Sequence, residues 1–128
     1  LALATALALA LPAVPAGAQI VQNGSFEQSS LPGTWNGAFV QLNAGHQALT
    51  GWTIASGSVD YIGGYWQHAD GARSLDMSGA SMGRIHQDVS LIVGSRYRLS
   101  FAMAGNGTGD KTLHLYLGAP GTVFVGPT

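Results

Sequence analysis

Residues 58–79, SVDYIGGYWQHADGARSLDMSG, gather two tyrosines, a tryptophan, a histidine, an arginine and three aspartates between glycines. Aromatic faces of this kind stack on apolar surfaces such as the CH faces of sugars, while Gln67, His68 and Asp70 can exchange hydrogen bonds with hydroxyls. Tyr61, Tyr65, Trp66 and His68 are therefore the candidate ligand contacts. The competing reading folds Trp66 inward as a core plug, leaves Tyr61 half-buried, and makes the stretch a turn between two strands.

Other chemistries are less well served. Gly79-Ala80-Ser81-Met82-Gly83 matches the G-x-S-x-G nucleophile elbow, and Asp110 and His114 follow in the order a hydrolase triad would need. That elbow requires a helix after the serine and a parallel sheet wrapped in helices, whereas residues 84–89 read as a strand. A glycine-rich hairpin turn is expected there instead. His46, His68, His86 and His114 show no H-x-H or H-E-x-x-H spacing and have no cysteine partner, so zinc is not expected. Glu27 is the single glutamate, which leaves little for a paired-carboxylate glycosidase. No catalytic residue is assigned.

Calcium suits the chain better, because carboxylates and the carbonyls of glycine-rich loops are hard oxygen donors. Glu27 follows the turn Asn23-Gly24-Ser25-Phe26 and Asp70 sits in the loop Asp70-Gly71, so these two are the candidate metal ligands. Asn23-Gly24-Ser25 and Asn106-Gly107-Thr108 both fit the N-glycosylation sequon, and both fit a turn equally well.

The elements that must position these residues are short strands. The chain has 128 residues, which supports one domain, and 46% of them are hydrophobic, enough to build a core. Five basic and six acidic side chains form no run of either sign, which excludes the basic stripe of a nucleic-acid binder. Residues 1–18, LALATALALALPAVPAGA, read as a secretory signal peptide that lacks its start, with a small-x-small cleavage pattern at Ala16-Gly17-Ala18. Its apolar run is shorter than the roughly 20 residues that span a bilayer. An exported domain spanning residues 19–128 is expected to hold together without disulfides, since there is no cysteine.

Helical periodicity is absent from that part, and strand-length runs divided by glycine turns recur. Residues 38–42, 52–55, 58–62, 73–77 and 84–89 have strand composition. The alternation is clearest at residues 97–103, where Tyr97, Leu99, Phe101 and Met103 share one face, and at residues 113–117. Residues 122–125 begin one more. The expected fold class is all-β, a sandwich or jelly roll, and because such a fold pairs its first and last strands, the domain is expected to be C-terminally incomplete. Trp52, opening an apolar strand, is expected in the core.

The order of short motifs carries a resemblance. Ile20-Val21-Gln22-Asn23-Gly24-Ser25-Phe26-Glu27 is followed by Gly51-Trp52-Thr53-Ile54, Gly57-Ser58-Val59-Asp60-Tyr61-Ile62, Tyr65-Trp66-Gln67-His68-Ala69-Asp70-Gly71 and Ser74-Leu75-Asp76-Met77-Ser78-Gly79. Gln87-Asp88-Val89 then precedes residues 97–106. This series resembles the choice-of-anchor C family of exported bacterial proteins and the related DUF642 proteins of plant cell walls. The resemblance implies a galactose-binding-like β-sandwich and a non-enzymatic secreted or surface protein that associates with polysaccharide or matrix glycan. It also implies a structural calcium held in part by Glu27, and a C-terminal anchor in the full-length protein. The alternative function is a structural adhesion domain that contacts proteins and binds no sugar.

Overall fold

A computed structural model describes residues 20–31, 37–105 and 107–118. The described part is all-β, with five strands in two open antiparallel sheets: β1 (Phe39–Asn43), β2 (Thr53–Ser56), β3 (Ser58–Ile62), β4 (Ser74–Asp76) and β5 (Arg84–His86). The first sheet runs in the order β1-β3-β4 and the second pairs β2 with β5.

β3 is central because its sequence can be buried on both faces. Val59 and Tyr61 point one way, Ser58 and Ile62 the other, and all four are buried. β-branched and aromatic side chains suit such a position. β1 pairs along it from Phe39↔Ile62 to Asn43↔Ser58, and β4 flanks its other edge with Asp60↔Asp76 and Tyr61↔Leu75. β1 itself alternates: Leu42 is buried, while Phe39, Gln41 and Asn43 are exposed.

The chain passes from the second sheet to the first through one residue, Gly57, whose φ of 63° lies in the left-handed region. A Cβ at Gly57 would overlap the backbone carbonyl of Met82, so both the dihedral and the close approach call for glycine. Strands from the two sheets meet in one core of Leu42, Ala48, Leu49, Ile54, Val59 and Tyr61, with Phe26, Trp52, Leu75 and Ile85 packed against it. Trp52 takes the expected place. It is half-buried, lies 5.5 Å from the Phe26 ring, and donates from Nε1 to the Asn23 carbonyl at 3.0 Å.

The strands expected at residues 97–103 and 113–117 are not formed: both segments are exposed and enter no ladder among the described residues. Alternation shows that residues can share a face, but a strand exists only when a neighbour accepts its backbone hydrogen bonds, and no described segment does so. Residues 1–18 and 122–125 lie outside the described residues.

Candidate functional site

The stretch from residue 61 to 73 divides into a core half and a surface half. Tyr61 belongs to the core: it is 1% exposed, and its hydroxyl donates to the Phe26 carbonyl at 2.8 Å. The Arg73 guanidinium stands 5.5 Å from the centre of its ring. Its place on the central strand accounts for this, since Tyr61 is flanked by Val40 of β1 and Leu75 of β4 and shares a face with the fully buried Val59. Tyr61 is thus separated from the exposed rings with which the sequence had grouped it.

Past Ile62 the β1–β3 ladder continues outward, with Gly63 N–H donating to Ala38 O at 2.9 Å and Gly64 N–H to Gly37 O at 3.3 Å. This extension delivers the next two residues beside the start of β1. Tyr65 and Trp66 are 55% and 43% exposed, and Phe39 on β1 is 47% exposed. The three rings touch in series. Phe39 and Tyr65 have centroids 5.6 Å apart at 68°, and Tyr65 and Trp66 4.5 Å apart at 77°, both edge-to-face. Phe39 was missed as a site residue. The signal was present, because an aromatic side chain on the strand face that also carries Gln41 and Asn43 has no core to enter.

The loop bearing these rings is pinned at both ends. His68 Nε2 lies 2.6 Å from the Gly63 carbonyl, and a carbonyl can only accept, so Nε2 is the donor in this contact. At the far end Glu27 Oε1 accepts the Ala72 N–H at 2.8 Å. Gly71, with φ 64°, lies so near the Glu27 carboxylate that a Cβ there would overlap it. Glu27 and the loop carrying Asp70 are therefore brought together. Among the described residues no group of three or more His, Cys, Asp or Glu gathers there or elsewhere. A calcium ion at this clamp would draw its remaining ligands from backbone carbonyls and water.

The N-terminal motif is a structural hub. Asn23, in the left-handed region at φ 48°, donates from Nδ2 to Gln28 O and Thr50 O at 2.9 and 3.0 Å, and its Oδ1 accepts the Gln28 N–H at 3.0 Å. The first sequon is thus a locked turn; Asn106 of the second lies outside the described residues. Gln87 secures the same region, donating to Gln22 O and Gly51 O and accepting the Gln22 N–H. An open cleft of about 450 Å³ lies beside it, between Gln47, Trp52 and His86. Its volume suits a small ligand, but Gln87 in its wall is already committed to three backbone groups.

Ser81 does not sit on an elbow. The antiparallel bridge Ser78↔Met82 closes a turn around it, β5 follows instead of a helix, and its N–H donates to Ser58 Oγ at 3.1 Å. Beneath that turn, Asp60 Oδ1 is buried without a hydrogen-bond partner. Burial first, and the facing Asp76 carboxylate second, push the Asp60 carboxyl above its ordinary range.

The described residues define a helix-free β-domain of small antiparallel sheets that carries a pinned loop of exposed rings. Residues 19–124 match the family described as a protein of unknown function, DUF642, and the chain belongs to that family. It is 43% identical over 88 residues to halomucin of Haloquadratum walsbyi, a match covering 68% of this chain and 1% of that protein. It is 30% identical over 98 residues to the Arabidopsis thaliana protein DUF642 L-galactono-1,4-lactone-responsive gene 2, covering 72% of this chain and 27% of the relative. No solved structure matches the chain. No helix among the described residues is long and apolar enough to cross a membrane.

Proposed function

We propose that this chain is a non-catalytic, exported carbohydrate-binding module that acts at the cell surface or in the extracellular matrix, on a galactose-binding-like jelly roll. The observation that carries the reading is the cluster of three half-exposed rings, Tyr65 and Trp66 on a pinned loop and Phe39 beside them on β1. Contiguous exposed apolar surface beside polar side chains marks an interaction site, and here Gln67, His68 and Asp70 follow the rings in the same loop. Kinship with a protein named as a mucin and with a plant DUF642 protein supports an extracellular setting, as does the leader-like composition of residues 1–18. Structural calcium at Glu27 and Asp70, and an anchor elsewhere in the full-length protein, belong to the same proposal.

A second reading, protein adhesion without sugar binding, is favoured by one feature. Leu91, Ile92 and Val93 and the alternating residues Tyr97, Leu99, Phe101 and Met103 are all exposed. Retention of the intact protein on polysaccharides decides between the two. Binding to a glycan that Trp66→Ala abolishes without unfolding supports the carbohydrate reading. A folded protein retained on no glycan favours adhesion.

A further inference from the structure

The shape of the ring cluster restricts what it can hold. A flat polysaccharide surface is recognised by aromatic faces that lie parallel and far enough apart for each to meet its own sugar unit. Neither condition is met here. Tyr65 stands at 77° to Trp66 and 68° to Phe39, and both centroid separations, 4.5 and 5.6 Å, are direct ring-to-ring contacts. Each ring covers part of its neighbour, and together they form a corner.

The corner is also held in place. Phe39 is fixed by its register opposite Ile62. Tyr65 and Trp66 lie between the His68–Gly63 contact and the Glu27–Ala72 clamp. Flattening the rings into one plane would give up both edge-to-face contacts.

A corner of two faces at nearly a right angle accommodates one sugar unit, with a CH face on one ring and an edge against the next. Gln67, His68 and Asp70, which follow Trp66 in the same loop, are the polar side chains available to its hydroxyls. The segment 63–72, GGYWQHADGA, contains no lysine or arginine, and the adjoining cation, Arg73, stands over the buried Tyr61 ring, so the corner is read as one for a neutral unit, not for a sulfate or carboxylate.

We propose, resting on the carbohydrate-binding reading, that the Phe39–Tyr65–Trp66 corner captures a single neutral sugar unit at a chain end or side branch, and not the face of a crystalline polysaccharide. The test titrates the intact protein with neutral oligosaccharides of one to six units sharing the same non-reducing end, and measures its depletion by microcrystalline cellulose and α-chitin powders. The longest oligosaccharide is expected to bind within about threefold of the shortest, with no retention on either powder, while Phe39→Ala and Trp66→Ala each weaken binding by about tenfold or more. An affinity that climbs at least about tenfold with length, or retention on a powder that Trp66→Ala removes, overturns the single-unit inference and leaves carbohydrate binding standing. No binding to any oligosaccharide or powder, by a protein with a cooperative unfolding transition, overturns both.

Discussion

Replacing Tyr61 with phenylalanine separates the core half of the aromatic stretch from its surface half. The ring is retained, so packing against Val59 and Leu42 and the approach of Arg73 are preserved; what is lost is the 2.8 Å hydrogen bond to the Phe26 carbonyl. That bond ties the N-terminal turn to the central strand. Its net value is about 1 kcal/mol, rising to about 3 kcal/mol if the Phe26 carbonyl finds no water in its place. With a denaturant slope of about 1–2 kcal/mol per molar for a small domain, the net value lowers the urea midpoint by about 0.5–1 M, and more if the carbonyl stays unsatisfied, with the slope unchanged. Trp66→Ala is the counterpart. The ring is 43% exposed, and the edge-to-face contact with Tyr65 is worth about 0.5–1.5 kcal/mol beyond area burial, so its cost should stay below the 3–5 kcal/mol of a buried aromatic truncation. Urea titrations followed by far-ultraviolet circular dichroism measure both. The reasoning fails if Tyr61→Phe unfolds at the wild-type midpoint while weakening glycan binding, because Tyr61 would then be a contact and not a core residue.

Three further perturbations probe other parts of the molecule. Asn23→Ala removes three hydrogen bonds and places alanine at φ 48°, which should cost about 2 kcal/mol in chemical denaturation, with Asn23→Gly recovering only the backbone share. Gly57→Ala combines a φ of 63° with overlap onto the Met82 carbonyl and should destabilise by about 2 kcal/mol or more, seen as a lower melting temperature. Burial, with the Asp76 carboxylate second, holds the folded-state pKa of Asp60 above the ordinary carboxylate value, so the folded state holds this proton more tightly than the unfolded chain does. Its contribution to stability is full below that value and is lost as pH rises through the raised pKa. Asp60→Asn should therefore flatten the fall in stability across that acidic window and be more stable than wild type at neutral pH; equal pH profiles would remove the assignment.

Much of the first half of the fold was legible because its strands carry their own period. β3 is read at its full span, and β1 and β2 are displaced by a single residue, since Leu42 and Val59 sit between polar neighbours and Ile54 and Tyr61 lie in short runs of strand composition bounded by glycine. Burial itself was less legible. Tyr61 and Tyr65 look alike in a list of residues, and only the register of β3 sends one inward while the ladder's extension carries the other out. The same register brings Phe39 to Tyr65 across 26 positions of sequence, a proximity that spacing alone does not encode. Residues 97–103 show the reverse limit, since a clear two-residue period states which side chains share a face but not whether a neighbouring strand is there to pair. Gln87 belonged to a short motif, but its role was not legible, because an amide that satisfies three backbone groups is indistinguishable in sequence from a solvated one.

The most direct test of the central proposal is retention of the intact protein on a panel of soluble and insoluble polysaccharides, run in parallel for wild type and Trp66→Ala, with calcium and again with chelator. The account predicts binding to at least one neutral glycan that the substitution abolishes while the protein stays folded. A folded wild-type protein that binds no member of the panel, or a Trp66→Ala variant that binds as the wild type does, contradicts it.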